Sequence, residues 1–440
     1  MKFKMTSLEK KWVWYDVGNS AFTLLVSTLL PIFFNSVAAS GGLSEDSYLA
    51  YWAYATSIST AVVAVLGPIL GTVSDLRGMR RKIFSAAILC GAAGCVLLGF
   101  MQHWLWFLVL FVLAKSGYAL SLVVYDSMLC DVTEPGRMDE VSSRGYAWGY
   151  IGSCAPFLVT VVIYVLYAMF GFLSMFAAML LVFVIIAAWW VGCSFPLWKS
   201  YRQEHFVEPC GHPVRTGLKN LGGVFKEVAL NKKVLFFLIA FFFFIDGVYT
   251  IIDMATAYGT SLGLDTTMLL VALLVTQIVA FPSAILLGML SRKVKPQYLI
   301  MACIVAYFFI TVYAVFLDQL YEFWILAVCV GLFQGTIQAM SRAYFAKIIP
   351  PQKAGEYFGI YDIFGKGAAF MGTLLVGIVT DVTENQSFGV GALAVMFVIG
   401  LVFFIIAVRC KETPAGGELH TDPNLSCGRC DRKGISAENE

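Results

Sequence analysis

Long apolar runs alternate with short polar connections along this chain. Twelve runs are long enough to cross a bilayer at roughly 20 residues per helix: Trp12 to Ala38, Tyr48 to Ser74, Lys82 to Met101, Trp104 to Cys130, Ser143 to Met169, Gly171 to Phe195, Val234 to Tyr258, Thr266 to Leu290, Gln297 to Leu317, Glu322 to Ala346, Ala354 to Thr380 and Ser387 to Arg409. None shows the two-residue alternation of a barrel strand, and each exceeds the roughly ten residues such a strand needs. The pattern therefore predicts twelve transmembrane helices, spans 1 to 12 in chain order. The first run ends on Ser36-Val37-Ala38-Ala39-Ser40, small residues suited to signal-peptide cleavage; its length and Asp16 favour a retained span instead.

Charge orients the bundle. Of the 30 lysines and arginines, all but Lys115, Arg342 and Lys366 lie in the N-terminal segment, the 2-3, 4-5, 6-7, 8-9 and 10-11 connections, the tail, or the span edges beside them. The intervening connections hold none, so the positive-inside rule places both termini in the cytosol. A composition that is 59% hydrophobic and 13% charged, with a mean hydropathy of +0.80, excludes a disordered chain and argues against a soluble enzyme. The fold class is an all-α multi-pass membrane protein. A bacterial source implies the cell (inner) membrane; a fungal one implies the vacuole or another organelle membrane. No cysteine falls in an external connection, so no disulfide is expected.

The polar connection over 196–233 splits the spans into six and six, giving bundles at 1–195 and 234–409 and a cytosolic tail, 410–440, expected to be disordered. Features recur across it. Gly71 pairs with Gly288, Pro135 with Pro351 and Gly149 with Gly365 at a nearly constant offset, and the Asp16/Ser20 pair of span 1 is echoed by Asp246/Thr250 in span 7. Both halves enter the membrane from the same side, which predicts a parallel pseudo-repeat about the membrane normal.

Polar residues inside spans are costly and therefore informative. Span 1 carries Asp16, Asn19, Ser20, Thr23 and Ser27 on one helical face; span 4 carries Lys115, Tyr118, Tyr125 and Asp126; span 7 carries Asp246, Tyr249, Thr250 and Asp253; span 10 carries Gln334, Gln338, Ser341 and Arg342. These stripes fit either hydrogen-bond networks inside a static bundle or the wall of a wet cavity. Two carboxyls on one stripe without a neighbouring base, Asp246 and Asp253, favour the cavity. Arg342, near the cytosolic end of span 10, can equally snorkel to water. Asp362 and Lys366 stand four residues apart in span 11, as either a structural brace or a gated charge pair. Spans 3, 6, 9 and 12 are almost wholly apolar and are expected to face lipid. Glycines in spans 2, 5, 8 and 11 are expected where helices approach closely, and Pro31, Pro68, Pro156 and Pro282 are candidate kinks.

Other chemistry is sparse. His103, His205, His212 and His420 all lie outside the spans, leaving no intramembrane triad or metal site, and there is no phosphate-binding Gly-x-x-x-x-Gly-Lys-Ser/Thr loop. Cys427-Gly-Arg-Cys430 alone is weak support for zinc. No cofactor, catalytic metal or nucleic-acid partner is expected; the expected partners are a small-molecule solute, a proton or other cation and the lipid bilayer, with the chain acting as a monomer.

The end of span 2 reads Gly71-Thr-Val-Ser-Asp75-Leu-Arg77-Gly78-Met-Arg80-Arg81-Lys82, which closely resembles the signature 2-3 loop of the major facilitator superfamily. The resemblance implies that Asp75 bonds a base and the N-terminal end of a neighbouring helix, that Gly71 permits close packing against span 11, and that this gating loop (Gly71, Asp75, Arg77, Gly78, Arg80, Arg81) biases the outward-open state. The second-half counterpart, Gly288-Met-Leu-Ser-Arg292-Lys293, has Arg292 in place of the acid. Trp14-Tyr15-Asp16-Val-Gly-Asn19-Ser20, Asp246-Gly247-Val-Tyr-Thr250, Gln334-Gly335-Thr-Ile-Gln338 and Glu356-Tyr-Phe-Gly359-Ile-Tyr361-Asp362-Ile-Phe-Gly365-Lys366 resemble the motifs of the vacuolar effluxer-like branch, also called the unknown major facilitator family. The best-known fungal members of that branch release amino acids from the vacuole.

Residues and resemblance together lead to an alternating-access secondary transporter of a small polar solute, with amino acids as one lead and coupling to protons or another cation. Asp16, Asn19, Ser20, Lys115, Tyr118, Asp126, Tyr249, Thr250, Gln334 and Gln338 are its expected cavity residues, and Asp246, Asp253, Asp362 and Lys366 its coupling candidates. The alternative is a flippase or exporter of lipids or amphiphiles on the same fold.

Overall fold

The computed structural model describes residues 3–171, 174–208, 225–261, 263 and 266–410. The Gly222-Gly223 stretch of the long connection, His212, and the tail with His420, Cys427 and Cys430 lie outside them. Among the described residues eleven helices are each long and apolar enough to cross a membrane, and a bent pair makes twelve when taken as one span. The protein is a multi-pass integral membrane protein.

Span 1, expected as one run, is two helices, Ser7–Ser27 and Leu29–Ser40, bent by 41° at Thr28. Pro31 permits the break: it has no N–H for the carbonyl of Ser27, and its ring crowds that carbonyl. Spans 2 to 6 are Glu45–Ser74, Met79–Leu98, Trp104–Ser127, Met138–Phe170 and Met175–Ser200. Spans 7 to 12 are Lys232–Ser261, Thr266–Leu290, Pro296–Ala314, Leu320–Ile348, Ala354–Thr383 and Gln386–Arg409. Pro68, Pro156 and Pro282 sit inside unbroken helices.

Packing repeats from one bundle to the other. Span 1 packs on 5 and 6 as span 7 packs on 11 and 12; spans 2 and 3 pack on 4 as 8 and 9 pack on 10; 3 meets 6 as 9 meets 12. The bundles meet through 2 against 11 and 5 against 8, with lesser contacts of 5 with 10 and 4 with 11. Spans 3, 6, 9 and 12 stand away from this seam and expose apolar side chains such as Leu89, Val184, Phe309 and Val398.

Candidate functional site

Arg342 of span 10 is the hub of the seam. It is 1% exposed, and its guanidinium reaches Asp126 of span 4 at 3.0 Å and Asp16 of span 1 at 3.3 Å. It also donates to the Ser142 hydroxyl at 2.9 Å and the Ser142 carbonyl at 3.2 Å. The rings of Trp12, Tyr125 and Tyr146 surround it at 4.6, 5.5 and 4.4 Å from their centroids. This fork satisfies two carboxylates at once, so Arg342 does not snorkel to water. Asn19 donates to Asp16 at 3.2 Å and Ser20 to the Asp16 carbonyl at 2.7 Å. Asp16 and Asn19 are therefore buried beside Arg342, with Ser20 half-buried at their edge. Tyr150 approaches Gln338 at 3.5 Å, and Gln334, one turn along the same helix, is buried as well.

A second group faces more open space. Thr23 is exposed and shares a 2.6 Å hydrogen bond with Tyr118. Lys115 of span 4 lies over the Phe111 ring, close enough to Asp253 of span 7 and Lys366 of span 11 for their charges to act on it. Asp253 is exposed, and the Asp362–Lys366 pair closes at 2.7 Å on a half-buried face. Tyr249 falls under the charges of Asp126, Asp253 and Asp362. Asp246 is elsewhere: it is fully buried, with Thr250 at 3.3 Å and the Gly372 backbone beside it. Among the described residues its Oδ2 makes no hydrogen bond and no cation pairs with it. Asp246 and Asp253 share a helix but not an environment.

Contacts joining the bundles cluster at the face where the chain enters span 1 and leaves span 12. Asp75 accepts the N–H groups of Gly355 and Glu356 at 2.8 and 2.9 Å, at the N-terminus of span 11, where the helix dipole favours an anion. It also pairs with Arg80, which reaches Asp131 at 2.6 Å. Burial pushes the Asp75 carboxyl up to about 6, with Arg80 and the two N–H groups opposing that rise. Gly78, at φ 72°, begins span 3 in a conformation that favours glycine. Arg77 pairs with Glu208 at 3.2 Å on the surface, and Arg81 is exposed. Across spans 5, 8 and 10, Asp139 pairs with Lys347 at 2.5 Å and Glu140 with Arg292 at 2.6 Å. Arg292, standing where the second-half acid would be, thus makes a tie of its own.

A side chain on Gly71 would overlap the Gly355 carbonyl, and one on Gly359 would meet Pro68 Cα at 2.7 Å. Gly71→Val is therefore expected to prop this face apart, because backbone cannot yield as a flexible side chain can. Thiol labelling of a cysteine placed at Ser74 reads the change: faster modification than in the parent is expected, and an unchanged rate counts against the contact as a closure.

Several partners lie off the polar stripes. Ser142 and Tyr146, which hold Arg342, come from span 5, which was noted for its glycines and Pro156 and carries no polar stripe. Asp131 gathers Arg80, the Tyr201 hydroxyl, and the His205 backbone N–H and Nδ1, both at 2.9 Å. Phe3 lies under the guanidiniums of Arg137, Arg144 and Arg292. One available signal was the separation of Asp126 and Arg342, 216 residues, which equals the offset of the repeat and marks them as equivalent positions.

Comparison with known proteins places the chain. The family model described as vacuole effluxer Atg22 like matches residues 7–135 and 131–414. The MFS-type transporter YxiO of Bacillus subtilis (strain 168) is 40% identical over 417 residues, covering 94% of this chain and 97% of YxiO. Autophagy-related protein 22 of Eremothecium gossypii is 27% identical, covering 81% and 76%. Among solved structures, the major facilitator FucP in its outward conformation matches with a TM-score of 0.69 at 13% identity, over 92% of this chain and 98% of FucP. An outward-facing bacterial homologue of the iron transporter ferroportin also gives 0.69, at 14% identity, covering 92% and 99%. With twelve crossings in two similarly packed bundles and a family match along nearly the whole membrane region, the chain belongs to the vacuole effluxer Atg22-like family and is a transporter of the major facilitator fold, not an enzyme.

Proposed function

We propose that this protein is a proton-coupled, alternating-access transporter of a small zwitterionic solute, with free amino acids as the first class to test. One observation carries the reading: Lys115 from the first bundle and Asp253 from the second lie close enough for their opposite charges to act on one another. A carboxylate on Lys115 and an ammonium on Asp253 would bind one solute across both halves, and rocking of the halves would then move it. The basic connections put the tied face in the cytosol, so this conformation opens away from it. Opposite charges this close favour a compact polar solute over the amphiphile of the rival reading.

The test is solute-dependent thermal stabilisation of the purified protein, with free amino acids first and lysophospholipids as the rival class. Stabilisation by an amino acid that falls at least about tenfold in apparent affinity in both Lys115→Met and Asp253→Asn is expected, since each removes a charged hydrogen bond. Stabilisation by lysophospholipids alone would overturn the assignment.

A further inference from the structure

On the outer side of the first bundle, away from the seam, spans 1 and 6 leave a groove of about 390 Å³ lined by Ser7, Lys10, Lys11, Trp14, Gly192, Cys193 and Pro196. Its two ends differ in chemistry. At the mouth, span 1 begins at Ser7; Lys10 is exposed, and Lys11 is held in place by a 2.6 Å hydrogen bond to Ser200 at the end of span 6. Deeper in, roughly 10 Å along the helix from Ser7 at 1.5 Å per residue, Trp14 is 53% exposed. It stands beside Gly192, where an added Cβ would meet nothing within 4 Å. A cationic mouth on an apolar trough, with a tryptophan at interfacial depth, matches a molecule with a negative head and a hydrocarbon tail.

We propose that this groove holds one anionic phospholipid, its phosphate on Lys10 and Lys11 and one acyl chain along Trp14, Gly192, Cys193 and Pro196. Charge complementarity selects the lipid: two lysines at one mouth carry a net positive charge that a zwitterionic headgroup leaves uncompensated, whereas phosphatidylglycerol neutralises it. The absence of a side chain at Gly192 leaves the trough open.

The test uses the full chain, purified in detergent and exchanged into nanodiscs, with retained lipid measured by native mass spectrometry. Phosphatidylglycerol is expected to be retained over phosphatidylcholine of identical chains. Each basic residue near such a surface is worth about fivefold, so Lys10→Gln/Lys11→Gln is expected to lower the preference by about thirtyfold. Gly192→Leu fills the trough without altering charge and is expected to reduce retention of phosphatidylglycerol. Thermal unfolding of both variants verifies that they are folded. Equal retention of the two lipids overturns the proposal. So does displacement of phosphatidylglycerol by inorganic phosphate, which marks a bare anion site, and so does a Gly192→Leu protein that keeps its lipid, which marks diffuse surface attraction.

Discussion

Arg342→Gln is expected to destabilise the protein by about 3–5 kcal/mol, the cost of removing one partner from a buried ion cluster. The guanidinium is shut away from water and answers two carboxylates, Asp16 and Asp126, while three aromatic rings pack on it. Glutamine leaves both acids near one another with no cation between them. Arg342→Lys keeps the charge but not the planar fork, so it should fall between glutamine and the parent. Because the same contacts join span 10 to spans 1 and 4, transport is expected to fail with stability. Thermal unfolding in detergent orders the three proteins. A double-mutant cycle with Asp126→Asn should return much of the loss, since removing one acid relieves the imbalance. If the glutamine variant melts like the parent, the cluster contributes no stability.

The number of spans was legible in the sequence because a bilayer imposes length and apolarity on every crossing. The bend at Thr28 was not, since Pro31 only permits it, and Pro68, Pro156 and Pro282 sit in unbroken helices. Periodicity places a residue on a face of its own helix but does not say what stands opposite. That is why the contacts of Asp16 and Asp126 with Arg342 could not be read from the stripes. It is also why Lys115 and Asp253, noted separately on spans 4 and 7, gain their meaning only when the structure brings them within each other's field. The clusters around Asp131 and Phe3 were hidden for another reason: Tyr201, His205 and Phe3 come from connections, where no helical period exists to read.

Asp246→Asn is expected to abolish uphill accumulation of solute while leaving passive exchange intact. The first span of each bundle carries a buried acid, and the two acids stand in different surroundings. Asp16 and Asp246 each have a hydroxyl residue four positions on, at Ser20 and Thr250, but Asp16 packs against Gly145 and Gly149 of span 5 whereas Asp246 packs against Gly372 of span 11. Asp16 has Arg342 as its counter-charge; the position equivalent to Arg342 in the first bundle is Asp126, an acid. Among the described residues no cation pairs with Asp246, and it is fully buried with one oxygen lacking a hydrogen bond. A carboxyl in such a place is held most cheaply with a proton, and admission of water reverses that preference. If rocking of the bundles alternately dries and wets Asp246, proton binding and release are tied to the conformational cycle, and the proton gradient drives the solute. Asparagine imitates the protonated acid in shape and hydrogen bonding, so it should insert and fold normally. In proteoliposomes holding solute on both sides, counterflow by the variant should match the parent, whereas an imposed pH gradient should no longer raise the internal concentration above the external one. Gradient-driven accumulation equal to the parent's would remove Asp246 from the coupling step, and loss of counterflow as well would make it a residue of the transport path itself.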